Sequence, residues 1–220
     1  MDRVITIDGP AGAGKSTLGR LLANKIGYVY LDTGAMYRAV ALAGKRKGID
    51  PKDSKSLGEL CRTLDLHYEM DHETPRLILE NEDINTAIRI PEMDLLSSEV
   101  SAVSEVRDAM TDLQRKMAEN TRVVAEGRDM GTVVFPQSRH KFFITATLDV
   151  RAERRYKERC ERGESVSRIT VKEELSRRDH QDETRSLAPL KPAKNAHIID
   201  TSSLTPKEIL QEMLCCLDSG

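Results

Sequence analysis

The stretch Val4-Ile5-Thr6-Ile7-Asp8-Gly9-Pro10-Ala11-Gly12-Ala13-Gly14-Lys15-Ser16 decides the fold of this 220-residue chain. Val4 to Ile7 is a short β-branched run bounded by Gly9-Pro10, the pattern of a strand buried in a parallel sheet. Leu18, Leu21, Leu22 and Ile26 recur at helical spacing, and Gly27 supplies a stop, so a helix is predicted from Lys15 to about Lys25. Between the two, Gly9 to Ser16 fits G-x-x-x-x-G-K-[ST] in the strand-to-helix context that a phosphate-binding loop requires. Glycines let successive N–H groups turn inward around phosphate oxygens, and the helix N-terminus adds the positive end of its dipole. Lys15 is placed to reach the β- and γ-phosphates and the Ser16 hydroxyl to meet Mg²⁺. A chance match is expected in roughly one chain in a hundred of this length. Gly9, Pro10, Ala11, Gly12, Ala13, Gly14, Lys15, Ser16 and the adjoining Thr17 are therefore the candidate ATP-binding residues.

The rest of the chain extends the alternation. Tyr28-Val29-Tyr30-Leu31, Val123-Val124-Ala125, Phe142-Phe143-Ile144-Thr145 and His197-Ile198-Ile199 read as further buried strands separated by helical stretches, a doubly wound α/β layout. Thr205-Pro206-Lys207-Glu208 carries an N-cap Thr, Pro at the first helical position and Glu closing a capping box, so a last helix follows, packing Ile209, Leu210, Met213 and Leu214 on the sheet. Two stretches depart from this order. Between about Leu64 and Ile90, Arg76-Leu77-Ile78-Leu79 and Asp83-Ile84-Asn85 flank a polar Asn81-Glu82 turn and predict a small antiparallel insert. From Arg151 to Arg178, ten Lys/Arg stand against six Asp/Glu.

At 220 residues the chain suits one substantial core and is short for two independent domains. Apolar residues at 39% and charged residues at 32% describe a soluble globular protein and exclude a disordered one. A net charge of −2 argues against non-specific nucleic-acid binding. Cys61, Cys160, Cys215 and Cys216 have neither CxxC nor zinc spacing and read as reduced thiols. With no membrane-length apolar run and no signal-peptide layout, a cytoplasmic protein without a membrane partner is expected, and a monomer is the default.

The loop names a donor and leaves the acceptor open, because GTPases, ATPases and motors share it. The guanine-reading N-K-x-D is absent. Glu126, after Val123-Val124-Ala125, is the first candidate for an acid behind Mg²⁺, and Asp8 the second. Phosphoryl transfer between nucleotides gathers negative charge, and Arg38, Arg107, Arg128, Arg178 and Arg185 are available to meet it. Read by residues alone, Arg107 shares a helical pattern with Val103, Val106 and Met110 and has the look of a solvated-face arginine. Arg151, Arg154, Arg155, Arg159 and Arg162 alternate with Glu153, Glu158 and Glu161 as on a solvated, salt-bridged helix. An ATP-dependent switch with no small-molecule acceptor stays open at this point.

Leu31-Asp32-Thr33-Gly34-Ala35-Met36-Tyr37-Arg38, Glu126-Gly127-Arg128-Asp129-Met130-Gly131-Thr132-Val133-Val134-Phe135-Pro136 and Arg178-Asp179-His180-Gln181-Asp182-Glu183-Thr184-Arg185, with the phosphate loop, closely resemble the bacterial cytidylate kinases over essentially the whole chain. The resemblance implies a single P-loop kinase domain with a five-stranded parallel sheet, its core at about 1–31, 120–150 and 186–220. It also implies a nucleoside-monophosphate-binding region at about 32–119, with the β insert at about 64–90, and a helical lid at about 151–185. The implied reaction is Mg²⁺-dependent transfer of the γ-phosphate of ATP to CMP or dCMP, with Lys15, Arg128, Asp129 and Arg185 catalytic. By the same resemblance Arg38 and Arg128 hold the acceptor α-phosphate, with the Thr33 hydroxyl near that phosphate or the base. Ser98, Arg107 and Asp129 read the cytosine, Arg178 and Asp182 contact the ribose, and Arg185 bridges the phosphates. Arg154 and Arg155 reach ATP when the lid closes, and Ser16 and Glu126 serve Mg²⁺. A kinase for UMP or another small acceptor is the alternative.

Overall fold

The computed structural model describes residues 3–71 and 74–218. In chain order the elements are β1 (Val4–Asp8), α1 (Lys15–Ile26), β2 (Val29–Asp32), α2 (Thr33–Arg46), α3 (Ser54–Thr63), β3 (Leu66–Asp71), β4 (Thr74–Leu79) and β5 (Glu82–Asp83). A 3₁₀ turn at Ala87–Arg89 leads to α4 (Pro91–Val100), α5 (Ser104–Ala118) and β6 (Val123–Gly127). After a single π turn at Met130–Val134 come β7 (His140–Thr145), α6 (Leu148–Glu161), α7 (Arg168–Thr184), β8 (His197–Asp200) and α8 (Pro206–Asp218). The chain divides into two compact units, one of residues 1–31 with 120–220 and one of residues 32–119.

The first unit is built on a five-stranded sheet of order β2-β6-β1-β7-β8, parallel between β1 and β6, β1 and β7, and β7 and β8. This bears out the expected α/β fold, and each predicted strand is present. β1 lies in the middle and is buried at all five residues, so both of its faces are covered and Val4, Ile5 and Ile7 are all enclosed. Ile5, Ile7, Val124, Phe142, Ile144 and Ile199 form the core with Leu18 and Leu22 of α1 and Ile209 and Met213 of α8. β1 and β6 run in register with Asp8 opposite Gly127, so the segments that follow these two strands leave the sheet side by side at its carboxyl edge. That edge is where open α/β sheets bind ligands. A smaller cluster of Ala152, Val171 and Leu175 joins α6 to α7 and includes Ala11 of the phosphate loop.

In the second unit α2 packs on α4 and α3 on α5, beside an antiparallel sheet of order β3-β4-β5. The tight turn falls at Glu80 and Asn81, with φ of 50° and 68°, one residue earlier than the sequence pattern predicts. Two consecutive left-handed residues match the right-handed twist of a two-residue hairpin. Pairing of Ile78 with Asp83 and Leu79 with Glu82 therefore fixes β5 at Glu82–Asp83 rather than Asp83–Asn85.

The capping box is formed as its sequence indicates. The Thr205 N–H donates to Glu208 Oε2 at 2.8 Å, and the Glu208 N–H returns to Thr205 Oγ1 at 3.3 Å. Thr205→Ala removes that cap at the start of α8, whose Ile209 and Met213 belong to the core. It is expected to lower stability by about 1 kcal/mol in urea unfolding, with no change of m-value.

Candidate functional site

The phosphate loop is shaped by its backbone. Gly9 adopts φ 147°, and a Cβ there would lie 2.0 Å from the Ile144 carbonyl oxygen, so no side chain fits. Gly14, at φ 96°, caps α1 without any side-chain acceptor, so the N–H groups of the first turn are not claimed by a cap. Lys15 is buried and donates from Nζ to the Pro10 carbonyl at 2.9 Å. Burial, aided by the facing Arg128 and opposed by Glu126, pushes its pKa down from 10.5 to about 7. Ser16 Oγ donates to Glu126 Oε1 at 2.8 Å. Thr17, also expected here, is exposed on the first turn of α1.

Glu126 and Asp8, the two acid candidates, have different employments. Glu126 is the next-to-last residue of β6, buried like the rest of that strand, and accepts from Ser16. Asp8 ends β1, 2% exposed, and its two oxygens accept the Met130 and Gly131 N–H groups, each at 2.8 Å. Asp8 thus grips the segment immediately after Arg128 and Asp129. Burial pushes its pKa up from 3.8 to about 6, against the two backbone hydrogen bonds.

Beside these residues the first unit assembles most of the predicted acceptor side. Arg128 Nε donates to Asp182 Oδ2 at 2.8 Å, Arg185 Nη1 lies 3.9 Å from Asp182 Oδ1, and Arg185 Nη2 lies 4.0 Å from Asp129 Oδ1. Burial works to raise the Asp182 pKa, but Arg128, Arg178 and Arg185 together outweigh it and hold the carboxyl below its usual range. Arg178 acts electrostatically on both Asp182 and Lys15. Arg185 is held at the end of α7 by a bond from Nε to the Ala188 carbonyl at 2.8 Å.

The remaining acceptor candidates lie in the second unit. Thr33 is buried at the start of α2, next to Asp32, whose side chain caps the helix at the Ala35 N–H. Arg38 donates from Nε to Asp94 Oδ1 at 3.0 Å, and Ser98 stands one turn beyond Asp94 on the same face of α4. Arg107, read from its neighbours as a solvated-face residue, is 5% exposed. It donates to the Ser101 carbonyl at 3.2 Å and lies over the Tyr37 ring, 5.8 Å from its centre. Such pairing is what makes burial of a guanidinium tolerable.

Both predicted ATP-facing arginines of α6 have protein partners in this structure. Arg154 donates to Thr201 Oγ1 at 2.9 Å and to the Thr201 carbonyl at 2.6 Å, and Thr201 Oγ1 in turn donates to the Ala13 carbonyl at 3.1 Å. Arg155 pairs with Glu158. Arg151 of α6 does reach the loop, buried and donating to the Ala11 carbonyl. The charge alternation hides it. Its helical alignment with the partly buried Leu148 and the buried Ala152 is the signal that marks it as inward-facing.

The arrangement suits a polyphosphate with a divalent cation. The α1 N-terminus lacks a side-chain cap, Lys15 is an ammonium whose charge burial disfavours until an anion arrives, and the Ser16–Glu126 pair offers oxygens to a hard cation. Among the described residues there is no cluster of three or more His, Cys, Asp or Glu that could hold a metal ion.

Residues 5–219 match the sequence model of the cytidylate kinase family. The chain belongs to that family. The cytidylate kinase of Citrifermentans bemidjiense is 48% identical over 210 residues, covering 96% of this chain and 90% of that protein. The cytidylate kinase of Caldicellulosiruptor bescii is 41% identical, covering 96% and 93%. Among solved structures, an uncharacterized protein from Eubacterium ventriosum superimposes with a TM-score of 0.56 at 13% identity, over the whole of both chains, a likeness of fold alone. No described helix is long and apolar enough to cross a membrane.

Asp8→Asn leaves one of two buried N–H groups facing an amide nitrogen and is expected to cost about 2–4 kcal/mol in urea unfolding. The folded pKa of Asp8 lies above its unfolded 3.8, so protonation favours the folded state. Its contribution is complete below 3.8 and lost as pH rises through about 6. The variant should therefore lack that part of the fall in stability across this window, as urea midpoints at successive pH values would record.

Proposed function

We propose that this chain is a (d)CMP kinase: it binds ATP at the loop after β1 and transfers the γ-phosphate to the α-phosphate of CMP or dCMP. The observation that carries this reading is the side-by-side exit of the Gly9–Ser16 loop and the Arg128-Asp129 segment from adjacent strands, with Asp8 opposite Gly127, in a chain of this family.

An oxygen of the acceptor α-phosphate attacks the γ-phosphorus in line, the bond from that phosphorus to the β–γ bridging oxygen breaks, and ADP leaves with the electron pair. Lys15 places its ammonium against the β- and γ-phosphates, and the backbone N–H groups of the loop hold the oxygens around it. Ser16 and Glu126 are the residues that would hold Mg²⁺, which would supply positive charge to offset that of the polyphosphate. Arg128 would grip the acceptor phosphate and Arg185 would span the donor and acceptor phosphates, each giving up carboxylate partners for phosphate oxygens. Asp182 and Arg178 would take the ribose, and Asp129 would accept from the cytosine amine. The second unit offers Arg38 for a phosphate, Thr33 for a phosphate or a base, and Ser98 and Arg107 for a base. Arg154 and Arg155 would exchange Thr201 and Glu158 for ATP when α6 and α7 close, excluding water. Substrates of this kind and four free thiols suit a cytoplasmic enzyme, and we take it to act as a monomer.

An ADP-release assay across the nucleoside monophosphates at saturating ATP and Mg²⁺ tests the reaction and the acceptor together. CMP and dCMP should each stimulate ADP formation well above the rate without acceptor, and equal rates with and without them would sink the reading. Uracil presents an oxygen where cytosine presents the amine, so Asp129→Asn should lower the ratio of kcat/KM for CMP over UMP by about ten- to a hundredfold. An unchanged ratio would favour a kinase for another acceptor.

Lys15 supplies a further test. With its pKa held near 7 in the free protein, much of it is neutral in mildly alkaline solution. Polyphosphate at the loop restores the ammonium, so ATP binding at about pH 8 should take up close to one proton. Titration calorimetry in two buffers of different ionisation enthalpy measures that uptake, and Lys15→Met should abolish it.

A further inference from the structure

One buried arginine holds the phosphate loop from behind. Arg151, in the first turn of α6 and 6% exposed, donates from Nε to the Ala146 carbonyl at 2.9 Å and from Nη1 to the Ala11 carbonyl at 3.1 Å. The same Nη1 lies 2.7 Å from Asp179 Oδ2 on α7. Arg151 packs so closely that a Cβ on Gly12 would come within 3.2 Å of its own Cβ. Ala11 is enclosed with Ala152, Val171 and Leu175.

The direction of these contacts has a chemical meaning. In a trans peptide the C=O and the following N–H point opposite ways, and no described peptide is cis. A donor fixed behind the Ala11 carbonyl therefore turns the Gly12 N–H to the other side, where the loop presents its donors to phosphate. Thr201, held by Arg154, acts likewise on the Ala13 carbonyl and so on the Gly14 N–H. At the far end of the Arg151 contact, Asp179 precedes Asp182 by three residues on one face of α7, and Asp182 holds Arg128. One guanidinium thus joins the peptide behind the donor loop to the helix that positions an acceptor-side arginine.

We infer that Arg151 and Asp179 form a positioning pair that couples the binding of the two nucleotides, an inference that rests on the kinase reading above. An anion accepting the Gly12 N–H polarises the Ala11–Gly12 peptide and makes its carbonyl a stronger acceptor for Arg151. The firmer Arg151 fixes Asp179, and with it the turn of α7 that carries Asp182. Coupling of this kind is reciprocal, so a phosphate drawn to Arg128 tightens the donor loop by the same factor. Arg151 is engaged by the Ala146 and Ala11 carbonyls and by Asp179, so the role assigned to the pair is one of positioning.

The test is titration calorimetry of CMP into the whole protein, with and without a saturating β,γ-imido analogue of ATP and Mg²⁺. The reciprocal titration and thermal unfolding of each variant accompany it. The wild type should bind CMP about five- to tenfold more tightly with the analogue present. Asp179→Asn, which leaves the Ala11 contact in place, should bring that factor to within about twofold of unity while leaving analogue binding to the free protein near the wild-type value. Arg151→Met should remove the coupling and also weaken the analogue alone, and Arg151→Lys should restore part of both. If Arg151→Met does not fold, Asp179→Asn decides. A wild type that binds CMP and releases ADP without coupling overturns the inference and leaves the kinase reading standing, as does an Asp179→Asn that keeps the wild-type factor. A wild type that binds no CMP overturns the kinase reading, and the coupling with it.

Discussion

The two oxygens of Asp8 decide where both reactive segments leave the sheet. Asp8 is the last residue of β1, so Gly9 begins the phosphate loop directly after it, and its acceptance of the Met130 and Gly131 N–H groups fixes the chain just beyond Arg128 and Asp129. A buried carboxylate is costly without such partners, and two charge-assisted bonds from backbone N–H groups offset part of that cost, burial still outweighing them. The Ser16–Glu126 bond and the Arg128–Asp182 pair are then local consequences of segments already aligned.

Around that anchor, positive charge is kept in place by carboxylates. Arg128 rests on Asp182, Arg185 lies near Asp182 and Asp129, and Glu126 opposes the forces that depress Lys15. Buried pairs of this kind contribute little net stability, because the loss of hydration cancels most of the attraction. Their value is geometric. The carboxylates fix the guanidinium groups of Arg128 and Arg185 in a low-dielectric setting with their donors already oriented.

The parts of this architecture that depend on neighbouring residues were legible in the sequence. Buried strands write themselves as β-branched runs, the phosphate loop has a fixed spacing, and the α8 capping box is complete within Thr205 to Glu208. The parts that depend on distant pairing were not. The function of Asp8 rests on partners more than a hundred residues away. Arg107 and Arg151 follow helical charge patterns that suggest solvent, yet they are buried on carbonyl groups that periodicity does not reveal. The hairpin turn at Glu80–Asn81 was displaced by one residue because strand register, rather than the turn preference of Asn, determined which two residues became left-handed. The family motifs supplied candidate site residues where chemistry alone left the choice open, but they did not point to Asp8 and Arg151 as the residues that hold neighbouring segments in place.

The loop from Gly9 to Ser16 is gripped through its main-chain carbonyls, at Pro10 by Lys15, at Ala11 by Arg151 and at Ala13 by Thr201, and offers main-chain N–H groups in return. Such a surface senses the polyphosphate and nothing of the base beyond it, so ATP, GTP and CTP would present it with the same oxygens. Preference among donors then falls to surfaces that hold the base, and those can diverge from one family member to another without disturbing the machinery of transfer.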